Sequence, residues 1–282
     1  MRTVAANAYR IAMDAFNHFN EEDGWAMASH VALSTILAMF PFMIFGTALS
    51  SYLGADAFAD TAVHIIFDTW PAAVAEPIAN EVNRVLTQQR SDLLTIGVLT
   101  AAFFASNGVE ALRVSLNRAY RVADRRPWYK TRAQSLGFVV VASLVLAVIS
   151  FLLVLAPLAL QLARQWLPWM ETTTAMIDSW RIIVAIVVLI VGLAISHLWL
   201  PAGRRKVAQV LPGVAFTVVF WLVGATIFAS YLQRFSTYVS TYAGLASIMI
   251  ALIFLYIIAA IFILGAELNA AIDRHKQMEA AE

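Results

Sequence analysis

The stretch FSTYVSTYAGLASIMIALIFLYIIAAIFILGAE, residues 235–267, settles what kind of molecule this is. Its first 32 residues carry no charge, and the run closes on Glu267. A helix needs about 20 mostly apolar residues to cross a bilayer, so this run is long enough with residues to spare. The chain repeats the pattern. Stretches free of Asp, Glu, Lys and Arg also occupy residues 24–55, 93–109, 133–163, 182–203 and 207–233. A membrane β-barrel would instead alternate over segments of about ten residues. The reading is an all-α polytopic membrane protein with six transmembrane helices. They are placed near 26–50, 93–113, 135–161, 182–200, 209–232 and 245–267.

Composition agrees. The 282 residues are 61% hydrophobic and only 13% charged, against roughly 25% charged in soluble domains. With no cysteine, neither disulfides nor thiolate metal sites are available. A formal net charge of +1 lacks the basic footprint of a nucleic-acid binder. No cleavable signal peptide is read in the first 23 residues, and the first apolar run is expected to stay as an anchor. No repeat or linker divides the chain, so residues 1–282 are expected to form a single transmembrane domain.

Orientation follows from Lys and Arg, which concentrate in cytoplasmic loops. With a cytoplasmic N-terminus, the inside segments hold 13 Lys and Arg: Arg2, Arg10, Arg118, Arg121, Arg125, Arg126, Lys130, Arg132, Arg204, Arg205, Lys206, Arg274 and Lys276. The outside segments hold five: Arg84, Arg90, Arg164, Arg181 and Arg234. Both termini are therefore expected in the cytoplasm. Seven of the eight tryptophans lie near span ends or in loops, at the headgroup level that amphiphilic rings prefer.

Two further segments are expected as amphipathic helices that do not span. Residues 3–20 put Val4, Ala8, Ile11, Ala15 and Phe19 on one face, as an interfacial helix would. Residues 72–90 place Val74, Ile78, Val82, Val85 and Leu86 at similar spacing.

The second span ends in a polar stripe. Asn107, Glu110, Arg113 and Asn117 follow one another by three or four residues and share a helix face. Glu110 is about 18 residues into the span, roughly 27 Å at 1.5 Å per residue, which places it near the cytoplasmic boundary. His30, Ser196, His197, Glu267 and Asn269 fall at the same level, with Arg118 just beyond. Two readings fit. In one, His30, Asn107, Glu110, Arg113, Asn117, Arg118, Glu267 and Asn269 line a substrate pathway, since ionisable groups within spans face the interior. In the other they are helix-end residues that reach the interface or bind one another. Glu110 and Arg113 suit a same-helix ion pair. Glu267 needs a partner, and Arg113 or Arg118 is expected to supply it.

The loop RAYRVADRRPWYKTR, residues 118–132, is basic with interleaved aromatics. It suits anionic lipid headgroups at the cytoplasmic leaflet rather than nucleic acid. The small residues Gly265 and Ala266 permit close helix approach and admit a homo-oligomer. No zinc-binding histidine pair, nucleophile elbow, phosphate loop or dinucleotide fingerprint occurs. No catalytic residue, metal ligand or cofactor is expected, and the chain is read as a non-enzyme.

Four stretches together resemble the BrkB/YihY family of bacterial inner-membrane proteins, formerly labelled ribonuclease BN. They are HVALSTILAMFPF (30–42), SNGVEALRVSLNRAY (106–120), LWLPAGRRKVAQVLPGVAF (198–216) and YAGLASIMIALIFLYIIAAIFILGAELNA (242–270). The match runs in order over most of the chain. It departs at Ala243-Gly244, where the family has Gly-Ser, and at Phe254, where it often has Trp. The resemblance implies six spans with both ends cytoplasmic and a role in envelope integrity or virulence. Residues and resemblance together lead to a non-enzymatic inner-membrane protein that binds or translocates an amphipathic envelope lipid or lipid-linked glycan. The alternative is a scaffold for envelope partners that transports nothing, and a membrane enzyme comes third.

Overall fold

A computed structural model of the chain describes residues 2–52, 93–150, 171–234 and 243–280. Among the described residues every regular element is a helix: α1 Arg2–Glu21, α2 Gly24–Tyr52, α3 Leu93–Ala119, α4 Trp128–Ser150, α5 Glu171–Trp199, α6 Val207–Arg234 and α7 Ala243–Glu279. The amphipathic segment expected at 72–90 lies outside them. The expected spans coincide with helices where they are described. Two stretches, Val207–Leu232 and Ile248–Glu279, are long and apolar enough to cross a membrane.

Local chemistry explains where the helices break. Only Glu22 and Asp23 separate α1 from α2, and Asp23 takes a left-handed φ of 55°. The next residue has to be small, because the Phe19 ring occupies the space where a Cβ on Gly24 would stand. At the end of α3, Arg121 is also left-handed, φ 57°. Its N–H returns to the Arg118 carbonyl at 2.8 Å, while the Val122 N–H bonds the Asn117 carbonyl at 2.9 Å. This is a Schellman cap formed without its usual glycine.

α7 is the hub, packing against α1, α2, α3 and α6, while α2 lies along α3. α4 leans on α3 and α5, and α5 on α6. The core is built mainly of small and aliphatic side chains, among them Ala28, Leu116, Leu200, Val214, Ala260 and Ala266. Gly213 of α6 and Gly265 of α7 meet where neither has room for a Cβ, so the two backbones touch.

Polarity runs opposite to a soluble protein. Leu136, Val140 and Leu144 on α4, Ile183 and Val187 on α5, and Val219, Val223 and Ile227 on α6 are exposed. Arg113, Asn117, His197, Glu267 and Asn269 are buried. Each exposed aliphatic side chain would forgo about 1.5–3 kcal/mol in water, so this outer surface suits lipid.

One expectation about α1 is corrected. Its Ile11–Ala15–Phe19 face does not lie free at an interface. Ala15 and Phe19 are buried, in a helix that packs on α7, because a bundle helix offers them better burial than headgroups do. Among the described residues of α1, the large apolar side chains left exposed are Tyr9, Met13 and Phe16, and Ala8 of the predicted face is exposed too.

Candidate functional site

The polar stripe of α3 becomes a network. Arg113 is buried and holds two carboxylates at once, Glu110 one turn before it and Asp124 in the following loop. Glu110 also accepts from the Ser135 hydroxyl of α4 at 2.9 Å. Asn117 donates its amide to Asp124 at 3.1 Å and accepts from the Ala202 N–H at 2.7 Å. Arg126 grips Asp124 through Nε at 2.8 Å and Nη2 at 2.7 Å. It also reaches Gln134 at 2.6 Å and the Leu200 carbonyl at 3.1 Å. The hydrogen bonds from Arg126, seconded by the Arg113 charge, hold the Asp124 carboxyl well below the usual aspartate range. The result is a latch that ties the α3–α4 loop to the α5–α6 turn.

On the other flank of the stripe, His30, Ser34, Asn107 and Glu110 share a cleft of about 280 Å³ with Leu37, Phe104, Ala111 and Val114. Its lining is half polar and half apolar. Arg132 closes one side, donating to Asn107 Oδ1 at 2.7 Å and lying 4.6 Å over the Phe103 ring.

A third group assembles around α7. Asn269 donates to the Tyr120 hydroxyl at 3.1 Å, so that hydroxyl is left to donate to His197 Nδ1, 2.9 Å away. His197 then carries its proton on Nε2, a buried atom with no hydrogen-bond partner among the described residues. The imidazole stacks on Phe262 at 4.6 Å. Burial pushes the Tyr120 phenol up to about 12. Asn269 also grips α6 on both sides of Pro212, accepting from the Gly213 N–H at 2.6 Å and donating to the Val210 carbonyl at 3.1 Å.

Glu267 requires a correction. Its partner is neither Arg113 nor Arg118 but His18 of α1, whose Nδ1 lies 2.9 and 3.0 Å from the two carboxylate oxygens. Arg113 is already held by Glu110 and Asp124. Arg118 is exposed and, among the described residues, reaches only the Glu22 carbonyl, at 3.4 Å.

The residues singled out from sequence thus fall into separate sets. His30, Asn107 and Glu110 share the flank cleft; Glu110, Arg113 and Asn117 share the latch. Glu267 and Asn269 belong to two other clusters. Sequence reasoning missed Asp124, Arg126, Tyr120 and His18. Asp124 carried a usable signal, as the one acid in the basic 118–132 loop. His18 carried none, because its partner is 249 residues away.

Residues 15–282 match the family described as Virulence factor BrkB. A curated relative named putative ribonuclease-like protein YfkH, from Bacillus subtilis (strain 168), is 25% identical over 94% of this chain and 96% of its own length. A UPF0761 membrane protein from Legionella pneumophila (strain Corby) is 26% identical over 98% of this chain, which spans 65% of that protein. Another, from Xanthomonas campestris pv. campestris (strain 8004), is 24% identical over 92% of this chain and 59% of its own length. No solved structure matches the chain.

Proposed function

This chain belongs to the Virulence factor BrkB family, and we propose that it is a six-span inner-membrane protein, both termini cytoplasmic, that binds and moves an amphipathic envelope lipid or lipid-linked glycan. The observation that carries this reading is the cleft at His30, Asn107 and Glu110. It sets polar groups beside exposed apolar residues such as Leu33, Leu37 and Phe103. A molecule with a polar head and an acyl tail fits such a surface, since the head finds hydrogen-bonding groups without leaving lipid. The relatives from Legionella and Xanthomonas are named membrane proteins, which supports the setting.

The Bacillus relative's name carries a nuclease label. Among the described residues no three His, Asp or Glu are grouped to hold a metal ion, and no hydrolytic step is proposed.

The test is lipid flux in proteoliposomes with fluorescent anionic lipids. Wild type is expected to move lipid above empty liposomes, and Glu110→Gln and His30→Ala to reduce the rate about tenfold. His30 is exposed and outside the ion-pair network, so its variant reads the cleft with little risk to folding. No movement across several lipid classes would overturn translocation. A second reading, a scaffold that transports nothing, is favoured by the mutual pairing of Glu110, Arg113 and Asp124. On that reading both variants keep the envelope phenotype.

A further inference from the structure

We infer that the cleft between the 123–130 loop and the 198–203 turn is a binding site for a phosphoryl group. The group is carried either on a lipid headgroup or as free phosphate. This rests on the reading above that this end of the bundle meets the cytoplasmic leaflet, and it names the chemistry recognised there.

The cleft holds about 660 Å³ and is lined by Asp124, Arg125, Arg126 and Lys130 on one side and by Trp199, Pro201 and their neighbours in the 198–203 turn on the other. Three cations face one carboxylate, and that carboxylate is already neutralised. Asp124 is held by both Arg113 and Arg126. Arg126 is occupied in turn, by Asp124, Gln134 and the Leu200 carbonyl. What remains is Arg125 and Lys130. Both are exposed, and neither side chain makes a hydrogen bond or ion pair among the described residues. Two unpaired cations over a neutralised acid leave a net positive cleft with donors to spare.

The types suit phosphate. A guanidinium offers a planar fork to two phosphate oxygens, and an ammonium adds a point charge on a flexible stem. Trp199 stands at the rim, two thirds exposed at 68%. An indole in that position sits where headgroup gives way to acyl chain, which suits a phosphate that arrives on a lipid. The neighbouring cleft at Arg118 and Arg121 differs. Glu22 lines it, and Asp14, itself paired with Arg274, lies 3.9 Å from Arg121, so Arg121 already faces an acid there.

The experiment is equilibrium binding to the intact protein in detergent, by native mass spectrometry. The probes are phosphatidylglycerol, an equally charged sulfolipid and inorganic phosphate. The comparison is wild type against Arg125→Gln/Lys130→Gln. Wild type is expected to bind phosphatidylglycerol in preference to the sulfolipid, and the double variant to weaken that binding about tenfold or more. Competition by inorganic phosphate would support the site with a free phosphate as a ligand. Its failure, with phosphatidylglycerol still bound in preference, would support the site with the lipid headgroup as the source. Equal binding of the sulfolipid would overturn recognition of the phosphoryl group, and wild-type affinity in the double variant would overturn the site. Because binding is read without flux, the two readings fail separately. Lipid movement without binding here sinks only this site, and binding here without movement sinks only translocation.

Discussion

His18 Nδ1 lies 2.9 Å from Glu267 Oε2, joining the first helix to the last. Glu267 is only 2% exposed, so its carboxylate depends on this contact and on the packing around it. Removing one partner leaves a buried polar group without its hydrogen bond, at a cost of about 1–3 kcal/mol. His18→Ala is therefore expected to lower the melting temperature in detergent, while the apolar pair His18→Leu/Glu267→Met restores most of the loss. A His18→Ala protein that melts like wild type would show that α1 is not held through this contact.

The Asp124 latch has a pH signature. Its carboxyl titrates below the ordinary value of 3.8 because the Arg126 hydrogen bonds favour the ionised form. A depressed folded value means the contribution is complete above 3.8 and is lost as pH falls through the lower folded value. Asp124→Asn is expected to cost about 2 kcal/mol at neutral pH and to flatten the acid limb of the stability curve. Parallel acid limbs in the two proteins would refute the latch.

The α6–α7 crossing tolerates nothing larger than glycine. A Cβ on Gly213 would run into the Gly265 carbonyl, and backbone cannot swing aside as a side chain can. Gly213→Ala is expected to cost about 1–3 kcal/mol. Gly137, inside α4, has open space at the same point, and Gly137→Ala should gain up to about 1 kcal/mol from helix propensity. Thermal unfolding of both variants checks the contrast, and equal shifts would contradict the close approach.

Asn269 brackets Pro212 from α7. Asn269→Leu removes its side-chain hydrogen bonds to the Gly213 N–H and the Val210 carbonyl, at about 0.5–1.5 kcal/mol for each bond lost. Hydrogen exchange at the Gly213 amide should accelerate in this variant. Unchanged protection would show that the helix closes over the proline without the side chain.

Much of the fold was legible in sequence because it is local. Uninterrupted apolar runs, Pro-Gly punctuation and three-to-four spacing predicted α2 through α7 and the common face of Asn107, Glu110, Arg113 and Asn117. The Glu110–Arg113 pair was foreseen for the same reason, one turn apart on one helix. The partner of Glu267 was not. Nothing within its own helix neutralises it, and Arg113, which looked available along the chain, is occupied by Asp124. The 118–132 loop was legible only as basic with interleaved aromatics. In the fold it divides: Arg126 and Arg132 turn inward to Asp124 and Asn107, while Arg125 and Lys130 stay exposed.

Helical class and the approximate helix boundaries followed from hydropathy and period, since a helix satisfies its own backbone wherever the run is apolar. Which polar groups neutralise one another followed only from the packed bundle. Those choices rest on contacts between segments far apart in the chain, such as His18 with Glu267 and Asn269 with Gly213. A buried charge takes whichever partner the close approach of helices puts within hydrogen-bonding distance, and no local spacing encodes that distance.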